Sequence, residues 1–400
     1  MVTSVPASRL SRQARAVAPF HVMRLLARAG ELERAGRTVI HLEVGEPDFP
    51  TPAPILDAAR QALTHGQVRY TPAAGLPSLR QAVADYYGDR DDLDVSASRI
   101  LMTPGASGAL QLVFLALLEA GDQVILCDPS YPCYRQMLGL MGVEPVALPV
   151  GPDTDYQLTV AQAARAWTSR VRAVLVASPA NPTGSSIAPD QLAALHQLCR
   201  ERGAALIVDE IYQGLTYPDT DGAAPERGAL ALGTSELYVI NSFSKYFGMT
   251  GWRLGWLVGP EDAVEVMDRI AQNLFIAAST PAQQAALAAF DPATRAILET
   301  RRAAFQRRRD RLLPALRELG FAIPRIPTGA FYLYARLPEQ LGLDSMTLAT
   351  RALEEAGVAL TPGQDFGHHE AASHVRFAYT RASAELDVAI QRLRTWFAGL

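Results

Sequence analysis

The sequence predicts an α/β fold in which helices flank a buried, mostly parallel sheet. Short runs rich in valine, isoleucine and leucine are predicted as strands, at residues 99–102, 123–127, 172–177, 206–208 and 237–240. Helical patterns lie between or beside them, at residues 107–118, 131–141, 189–202 and 261–278. Near-continuous apolar strands that are separated by helices are typical of a parallel sheet covered on both faces.

The pattern changes near residue 290, where a smaller α+β part is expected. A charged helix is predicted at residues 291–319, and we expect its arginines, Arg308 and Arg309 among them, to form a solvated face. Further strands are predicted at residues 331–335 and 375–379, and further helices at residues 347–356 and 383–397. We therefore expect a large domain at residues 46–285 and a small domain formed by residues 1–45 and 286–400.

The composition is that of a globular protein and argues against several functions. The 400 residues carry 37 lysines and arginines against 41 acidic residues, a formal net charge of −4. Nucleic acids and anionic membranes require a basic surface, so neither is an expected partner. No apolar run reaches the roughly 20 residues that cross a bilayer. The three cysteines show no disulfide or metal-ligand spacing, so no metal is expected.

The first residues are rich in arginine and contain no acidic residue before Glu31. This pattern is typical of a mitochondrial transit segment. We favour the alternative of a surface arm, because arginine replaces lysine throughout the chain. The expected location is therefore the cytoplasm.

Lysine usage is the most informative count in this chain. Lys245 is the single lysine among the 37 basic residues, where about 20 lysines would be usual. Arginine can replace lysine on a surface, but a guanidinium stays protonated and does not form Schiff bases. Lys245 is therefore a candidate for a task that requires a primary amine, with chance survival as the alternative.

Small and polar residues follow several of the predicted strands. Ligands of open parallel sheets bind beyond the carboxyl ends of the strands. Ala106 and Ser107 begin a helix whose free N–H groups would suit a phosphate, although Ser107 could simply be an N-cap. Asn181 could face a ligand or belong to a simple turn. Asp209 and Tyr212 could contact one ring, or Asp209 could cap the next turn.

A denser group follows the strand predicted at residues 237–240. Ser242, Ser244 and Arg253 could together bind an anion, because they offer two hydroxyls and a guanidinium within twelve residues. Lys245 lies within this segment. It would then lie close to the molecule that carries the anion.

These motifs make the chain similar to the class I aminotransferases, the fold-type I enzymes that depend on pyridoxal phosphate. NPTG at residues 181–184, DEIY at 209–212, SFSK at 242–245 and GWR at 251–253 occur in the order of that family. The resemblance extends from the segment that begins at Gly45 to the segment that contains Arg376. It implies a seven-stranded sheet and pyridoxal 5′-phosphate as cofactor.

The resemblance also implies roles for individual residues around the cofactor. Lys245 would form the Schiff base and carry the proton, and Asp209 would keep the ring nitrogen protonated. The other cofactor contacts implied are Asn181 and Tyr212 at the phenolic oxygen, Tyr131 on the ring face, and Ala106, Ser107, Ser242, Ser244 and Arg253 at the phosphate.

Four residues are implied to bind the substrate or to complete the site of a neighbouring subunit. Arg376 would bind the substrate carboxylate through its planar guanidinium, with Gly45 and Asn181 beside it. Tyr70 would reach the phosphate in the neighbouring subunit, which implies a homodimer.

The implied activity is ping-pong transfer of an amino group from an L-amino acid to a 2-oxo acid. Some relatives that prefer dicarboxylic substrates carry a lysine in the phosphate-loop segment, where this chain has Ser107. We therefore expect neutral, branched or aromatic amino donors. A carbon–sulfur β-lyase and a non-enzymatic pyridoxal-phosphate-binding protein remain alternatives. A serine acylase of the S-x-x-K type is disfavoured because its K-T-G motif needs a second lysine.

Overall fold

The computed structural model describes residues 9–218, 227–233 and 235–399. Its strands are β1 (Ile40–His41), β2 (Ile100–Thr103), β3 (Gln123–Asp128), β4 (Glu144–Pro149), β5 (Val171–Ala177), β6 (Ala205–Asp209), β7 (Leu237–Ser242), β8 (Gly255–Val258), β9 (Tyr332–Arg336), β10 (Val358–Ala359), β11 (Thr361–Pro362) and β12 (His374–Ala378). Its α-helices are α1 (Arg12–Ala16), α2 (His21–Arg34), α3 (Ala53–Thr64), α4 (Pro77–Asp91), α5 (Gly105–Leu117), α6 (Pro132–Leu140), α7 (Val160–Ala166), α8 (Pro189–Glu201), α9 (Glu261–Leu274), α10 (Thr280–Ala286), α11 (Pro292–Glu318), α12 (Ser345–Arg351) and α13 (Ser383–Phe397).

The central sheet has seven strands in the order β2-β8-β7-β6-β5-β3-β4. Strands β3 to β7 run parallel to one another, whereas β8 is antiparallel to both β2 and β7. The predicted mostly parallel sheet is therefore confirmed. The sequence analysis missed β4 and β8. Strand β4 is a partly exposed edge strand that contains two prolines, and β8 has only four residues, so neither resembles a long apolar run.

The sheet is buried on both faces, as its apolar strands predict. In β6, Leu206 and Val208 join one apolar cluster, while Ala205 and Ile207 join another on the opposite face. Successive side chains of a strand point to opposite faces, so the two clusters occupy the two sides of the sheet. This packing fixes the strand ends that carry the polar residues.

The strand register brings the polar residues to one edge of the sheet. Asp209, the last residue of β6, is paired with Ala177 of β5 and with Ile240 of β7. Gly255 at the start of β8 is paired with Ser242 on one side and with Thr103 on the other. The starts of the segments that contain Lys245 and α5 therefore lie side by side.

The remaining strands form two small sheets outside the central one. Strand β1 pairs with β10 in parallel, and β12 lies between β11 and β9 with antiparallel pairing. Helix α2 contacts β10 and β11, whereas α1 contacts α6 beside the central sheet. The boundary between a large and a small domain after residue 285 stays a prediction. No described helix is both long and apolar enough to span a membrane.

Two expectations about the helices were wrong. Arg308 and Arg309 on α11 are buried, not solvated. Arg308 binds both carboxylate oxygens of Asp48, at 2.8 and 2.9 Å, and Arg309 donates to the carbonyl oxygen of Pro327 at 2.7 Å. Paired guanidinium groups can be buried where unpaired ones cannot. The helix predicted at residues 261–278 ends at Leu274.

Candidate active site

A cavity of about 330 Å³ opens at the carboxyl ends of the central strands. Every residue that the sequence analysis singled out for the site lines it except Ser242 and Tyr70. The residues concerned are Gly45, Ala106, Ser107, Tyr131, Asn181, Asp209, Tyr212, Ser244, Lys245, Arg253 and Arg376. Segments that are far apart in the sequence therefore meet in one space.

Lys245 projects into this cavity from the turn that follows β7. Its Nζ atom donates a hydrogen bond to the carbonyl oxygen of Gly45, at 2.6 Å. Burial lowers the pKa of Lys245 to about 8, and the positive charges of Arg376 and Arg253 act in the same direction. A substantial fraction of this amine is therefore neutral near physiological pH, which a nucleophile or base requires.

Asp209 is buried at the base of the cavity. Tyr134 Oη donates to its Oδ2 atom at 2.5 Å, and the N–H group of Ile211 donates to its Oδ1 atom at 3.1 Å. Burial raises the pKa of Asp209 above its ordinary value, and these two donors oppose the rise. The sequence analysis did not identify Tyr134. This residue lies on the first turn of α6, three residues after Tyr131, so the two side chains could have been expected on the same side of the helix.

The start of α5 and the segment after β7 lie side by side in the lining of the cavity, and we call this part of the lining the cup. Helix α5 begins at Gly105 without a side-chain cap among the described residues, which leaves its first N–H groups to a ligand. Ser107 is therefore not an N-cap. A Cβ on Gly105, whose φ is +72°, would lie 2.7 Å from a terminal nitrogen of Arg253. Ser244 Oγ accepts from Ser242 Oγ at 2.9 Å, which places Ser242 behind the surface of the cup.

Arg376 lies on the opposite side of the cavity, on β12. It donates to Oδ1 of Asn181 at 2.8 Å and to the carbonyl oxygen of Glu43 at 2.6 Å. Its guanidinium lies between the rings of Tyr332 and Phe366, at 4.2 and 4.8 Å from their centroids. Arg376 also lines the cavity, and its Nε atom is buried without a partner among the described residues.

Two predicted tyrosines line the cavity and a third does not. Tyr212 is buried, and its hydroxyl lies 2.7 Å from the hydroxyl of Tyr332. Tyr131 is partly buried and packs edge-to-face on Tyr134. Tyr70 is 84% exposed and lies outside the lining of this cavity. Its contact with a neighbouring subunit stays a prediction.

The mouth of the cavity carries an apolar wall that the sequence analysis missed. The wall consists of Phe20, Val22, Met23 and Leu26. The carboxylate of Asp365 accepts from the N–H groups of His21 and Val22, at 2.7 and 2.8 Å, and so fixes the first turn of α2. No motif predicts this contact, because the two partners lie more than 340 residues apart.

Comparison with known proteins also relates this chain to the aminotransferases, along almost its whole length. The family described as Aminotransferase class I and II matches residues 37–393. The chain is 38% identical to a valine–pyruvate aminotransferase of Mycobacterium tuberculosis, over 95% of this chain and 96% of that protein. It is 36% identical to an aspartate/prephenate aminotransferase of Thermus thermophilus, over 96% and 97%.

Solved structures agree with the sequence comparison. A crystal structure of an aminotransferase from Mycobacterium tuberculosis superimposes with a TM-score of 0.93 at 38% identity, covering 98% of this chain and all of the other. The aspartate aminotransferase of Thermus thermophilus with maleate gives a TM-score of 0.89 at 35% identity, covering 96% and 98%. Family, fold and cavity thus agree, and the chain belongs to the class I and II aminotransferases, which depend on pyridoxal phosphate.

Proposed function

We propose that this aminotransferase transfers the amino group of an L-amino acid with a neutral, branched or aromatic side chain to a 2-oxo acid. The observation that carries the proposal is the position of Lys245. The one lysine of the chain projects into a cavity that is also lined by the buried carboxylate of Asp209, by the cup and by the guanidinium of Arg376. These are the groups that transamination requires around a single amine.

The residues at the cup and at the base of the cavity fit pyridoxal phosphate. When bound, this cofactor supplies an electron-accepting ring that stabilises negative charge at the Cα atom of the substrate. Ser244, Arg253 and the N–H groups of Ala106 and Ser107 would hold the phosphate, with Ser242 supporting Ser244. Asp209 would keep a proton at the ring nitrogen.

Further side chains would orient the cofactor ring from its face and from its edge. Tyr131 would stack on one face, because it lines the same cavity as Asp209 and packs on Tyr134, which binds Asp209. Tyr212 and Asn181 would contact the phenolic oxygen. Asn181 already accepts a hydrogen bond from Arg376, so the residues around the ring and around the substrate carboxylate form one hydrogen-bonded group.

Lys245 would bind the cofactor covalently and would then move a proton at the substrate Cα. Both tasks need the neutral amine, which the lowered pKa of about 8 provides. Arg376 would hold the substrate carboxylate through its planar guanidinium, with the backbone of Gly45 facing the same carboxylate. Fixing the carboxylate would restrict the orientation of the substrate Cα–H bond relative to Lys245.

The proposed donor class follows from the lining of the cavity. The cationic side chains among the described lining residues are Lys245, Arg253 and Arg376. Each of them is assigned above to the cofactor or to the α-carboxylate, which leaves none for a side-chain carboxylate. Apolar residues of α2 form the mouth, and burial against them favours an apolar donor side chain. The relatives do not decide this point, because they include both valine–pyruvate and aspartate enzymes.

We also propose that the protein is a cytoplasmic homodimer. Arg253 is exposed at the rim of the cup, and Tyr70 and Val68 are exposed on a nearby loop. In the proposed dimer, Tyr70 of each subunit would be buried against the rim of the other subunit's cup. It would lie there beside the phosphate that the other subunit binds.

The experiment is a half-reaction assay on the cofactor-loaded protein with a panel of amino acids. Valine, leucine, phenylalanine and alanine are expected to convert the visible absorption band of the cofactor to a near-ultraviolet band. Aspartate and glutamate are expected to react at least about tenfold more slowly at equal concentration. Faster reaction with aspartate would contradict the proposed donor class. Release of pyruvate from cystathionine without a 2-oxo acid would instead indicate the β-lyase.

A further inference from the structure

We infer that Tyr332 is a positioning residue that joins the two sides of the active site: its hydroxyl holds Tyr212 and its ring supports Arg376. This inference rests on the proposed function, from which the roles of Tyr212 and Arg376 are taken. Tyr332 is the first residue of β9 and is buried to 1% exposure. It belongs to no motif identified in the sequence.

The hydroxyl of Tyr332 has a defined partner, and both residues are buried. It lies 2.7 Å from the hydroxyl of Tyr212, and the two rings meet edge-to-face at 5.7 Å between centroids. Burial raises the pKa of Tyr212 well above its ordinary value, so its hydroxyl stays protonated and can donate. A buried hydroxyl that loses its partner pays a desolvation cost, so each hydroxyl restricts the orientation of the other.

The backbone at Gly45 packs directly against the hydroxyl of Tyr332. A Cβ on Gly45 would lie 2.0 Å from Oη of Tyr332 and 2.9 Å from its Cζ atom. Only a glycine therefore leaves room for the tyrosine. The carbonyl oxygen of this same glycine accepts the hydrogen bond from Lys245. Tyr332 thus lies in contact with the backbone that orients the reactive amine.

The ring of Tyr332 supports the guanidinium of Arg376 from one face. The guanidinium carbon lies 4.2 Å from the ring centroid, a distance at which a cation is attracted by an aromatic face. The hydrogen bonds of Arg376 to Asn181 and to Glu43 lie in the plane of the guanidinium, so its faces are free for ring contacts. Strand pairing reinforces the contact, because Tyr332 pairs with Ala378 on the strand that carries Arg376.

Two substitutions separate the two contacts of Tyr332. Tyr332→Phe removes the hydroxyl and keeps the ring, so kcat is expected to fall about fivefold while KM for the amino donor changes less than about twofold. Tyr332→Leu removes both contacts, so KM is expected to rise about tenfold in addition. The matched control is Tyr334→Phe. Tyr334 is buried on the same strand, and its hydroxyl has no partner among the described residues.

The pH dependence of the visible absorption band of the bound cofactor tests the route through Tyr212. Tyr332→Phe is expected to shift its midpoint in the same direction as Tyr212→Phe, by a smaller amount. In a Tyr212→Phe background, Tyr332→Phe is expected to cause no further shift. A shift that persists in this background, or equal results for Tyr332→Phe and Tyr334→Phe, would overturn the inference.

A second readout uses the protein without cofactor and so does not depend on the proposed function. In urea unfolding of the cofactor-free protein, the Tyr212→Phe and Tyr332→Phe changes are expected to be coupled by about fivefold in the unfolding equilibrium constant. Additive effects would show that the hydroxyls do not interact and would overturn the inference. Absence of any half-reaction in the wild type, with coupling intact, would contradict the proposed function alone.

Discussion

The two sides of the cavity are built differently. The cup and the base come from the ends of adjacent strands in one sheet, and their polar groups are held by short hydrogen bonds such as that between Tyr134 and Asp209. The opposite side combines α2, the segment after β1 and strand β12, and it presents apolar and aromatic surface around Arg376. The difference indicates that the groups proposed to act on the cofactor are fixed by one continuous sheet, whereas the groups proposed to select the substrate come from separately packed segments.

Substitution of Arg376 is expected to have the largest effect on substrate binding. Replacing it as Arg376→Gln removes the charged donor for the α-carboxylate and leaves its buried partners without a cation. We expect kcat/KM for the amino donor to fall at least about a hundredfold, while the affinity for pyridoxal phosphate changes little. Steady-state kinetics and cofactor titration measure the two effects. Arg311→Gln, an exposed arginine paired with Asp387, is the control. A fall in cofactor affinity as large as the fall in kcat/KM would show that the two sides of the cavity do not bind cofactor and substrate separately.

Tyr134 tests the cofactor side. In Tyr134→Phe, Asp209 loses a hydrogen bond to its charged form, so its pKa is expected to rise further. The charged carboxylate is the useful form, and activity is lost as the pH falls through its pKa. The acid limb of the kcat profile should therefore move to higher pH, and cofactor affinity should fall about tenfold. An unchanged acid limb, with Tyr334→Phe as the reference, would show that Tyr134 does not act through Asp209.

Asp365 supports the apolar wall and should give the smallest effect. Asp365→Asn weakens the attraction of a carboxylate for the N-terminus of α2, so the first turn of that helix becomes less ordered. We expect KM for apolar amino donors to rise about threefold, with no change in cofactor affinity. Kinetics with valine and with alanine would check this, because the shorter side chain should be less affected. A larger rise in KM for alanine than for valine would show that the apolar wall does not contact the donor side chain.

The two sides also differ in how far the sequence could predict them. Asp209 and Ser244 could be found because each lies at or just beyond the end of an apolar strand, and parallel strands end at one edge of a sheet. Lys245 could be found because it is the one lysine of the chain. The bounds predicted for helix α13 match those in the structure, because its apolar residues recur with helical spacing along the whole helix. Local patterns of this kind are visible in a single sequence.

The substrate side could not be predicted in the same way. Tyr332 is followed in β9 by apolar and aromatic residues up to Ala335, so its pattern is that of a core residue. Phe20 and Leu26 are brought to the cavity by a contact of α2 with Asp365 that depends on the folded chain. Arg376 could be assigned only by resemblance, since it is one of many arginines. Contacts between distant segments leave no periodic signal.

The central claim is that Lys245 carries the cofactor, and one measurement tests it most directly. The purified protein is loaded with pyridoxal phosphate, reduced with borohydride, and digested for peptide mass spectrometry. We predict a visible absorption band before reduction and the reduced cofactor on the peptide that contains Lys245, with both absent in Lys245→Ala. A wild type that takes up no cofactor, or a Lys245→Ala variant that keeps the visible band, would contradict the account.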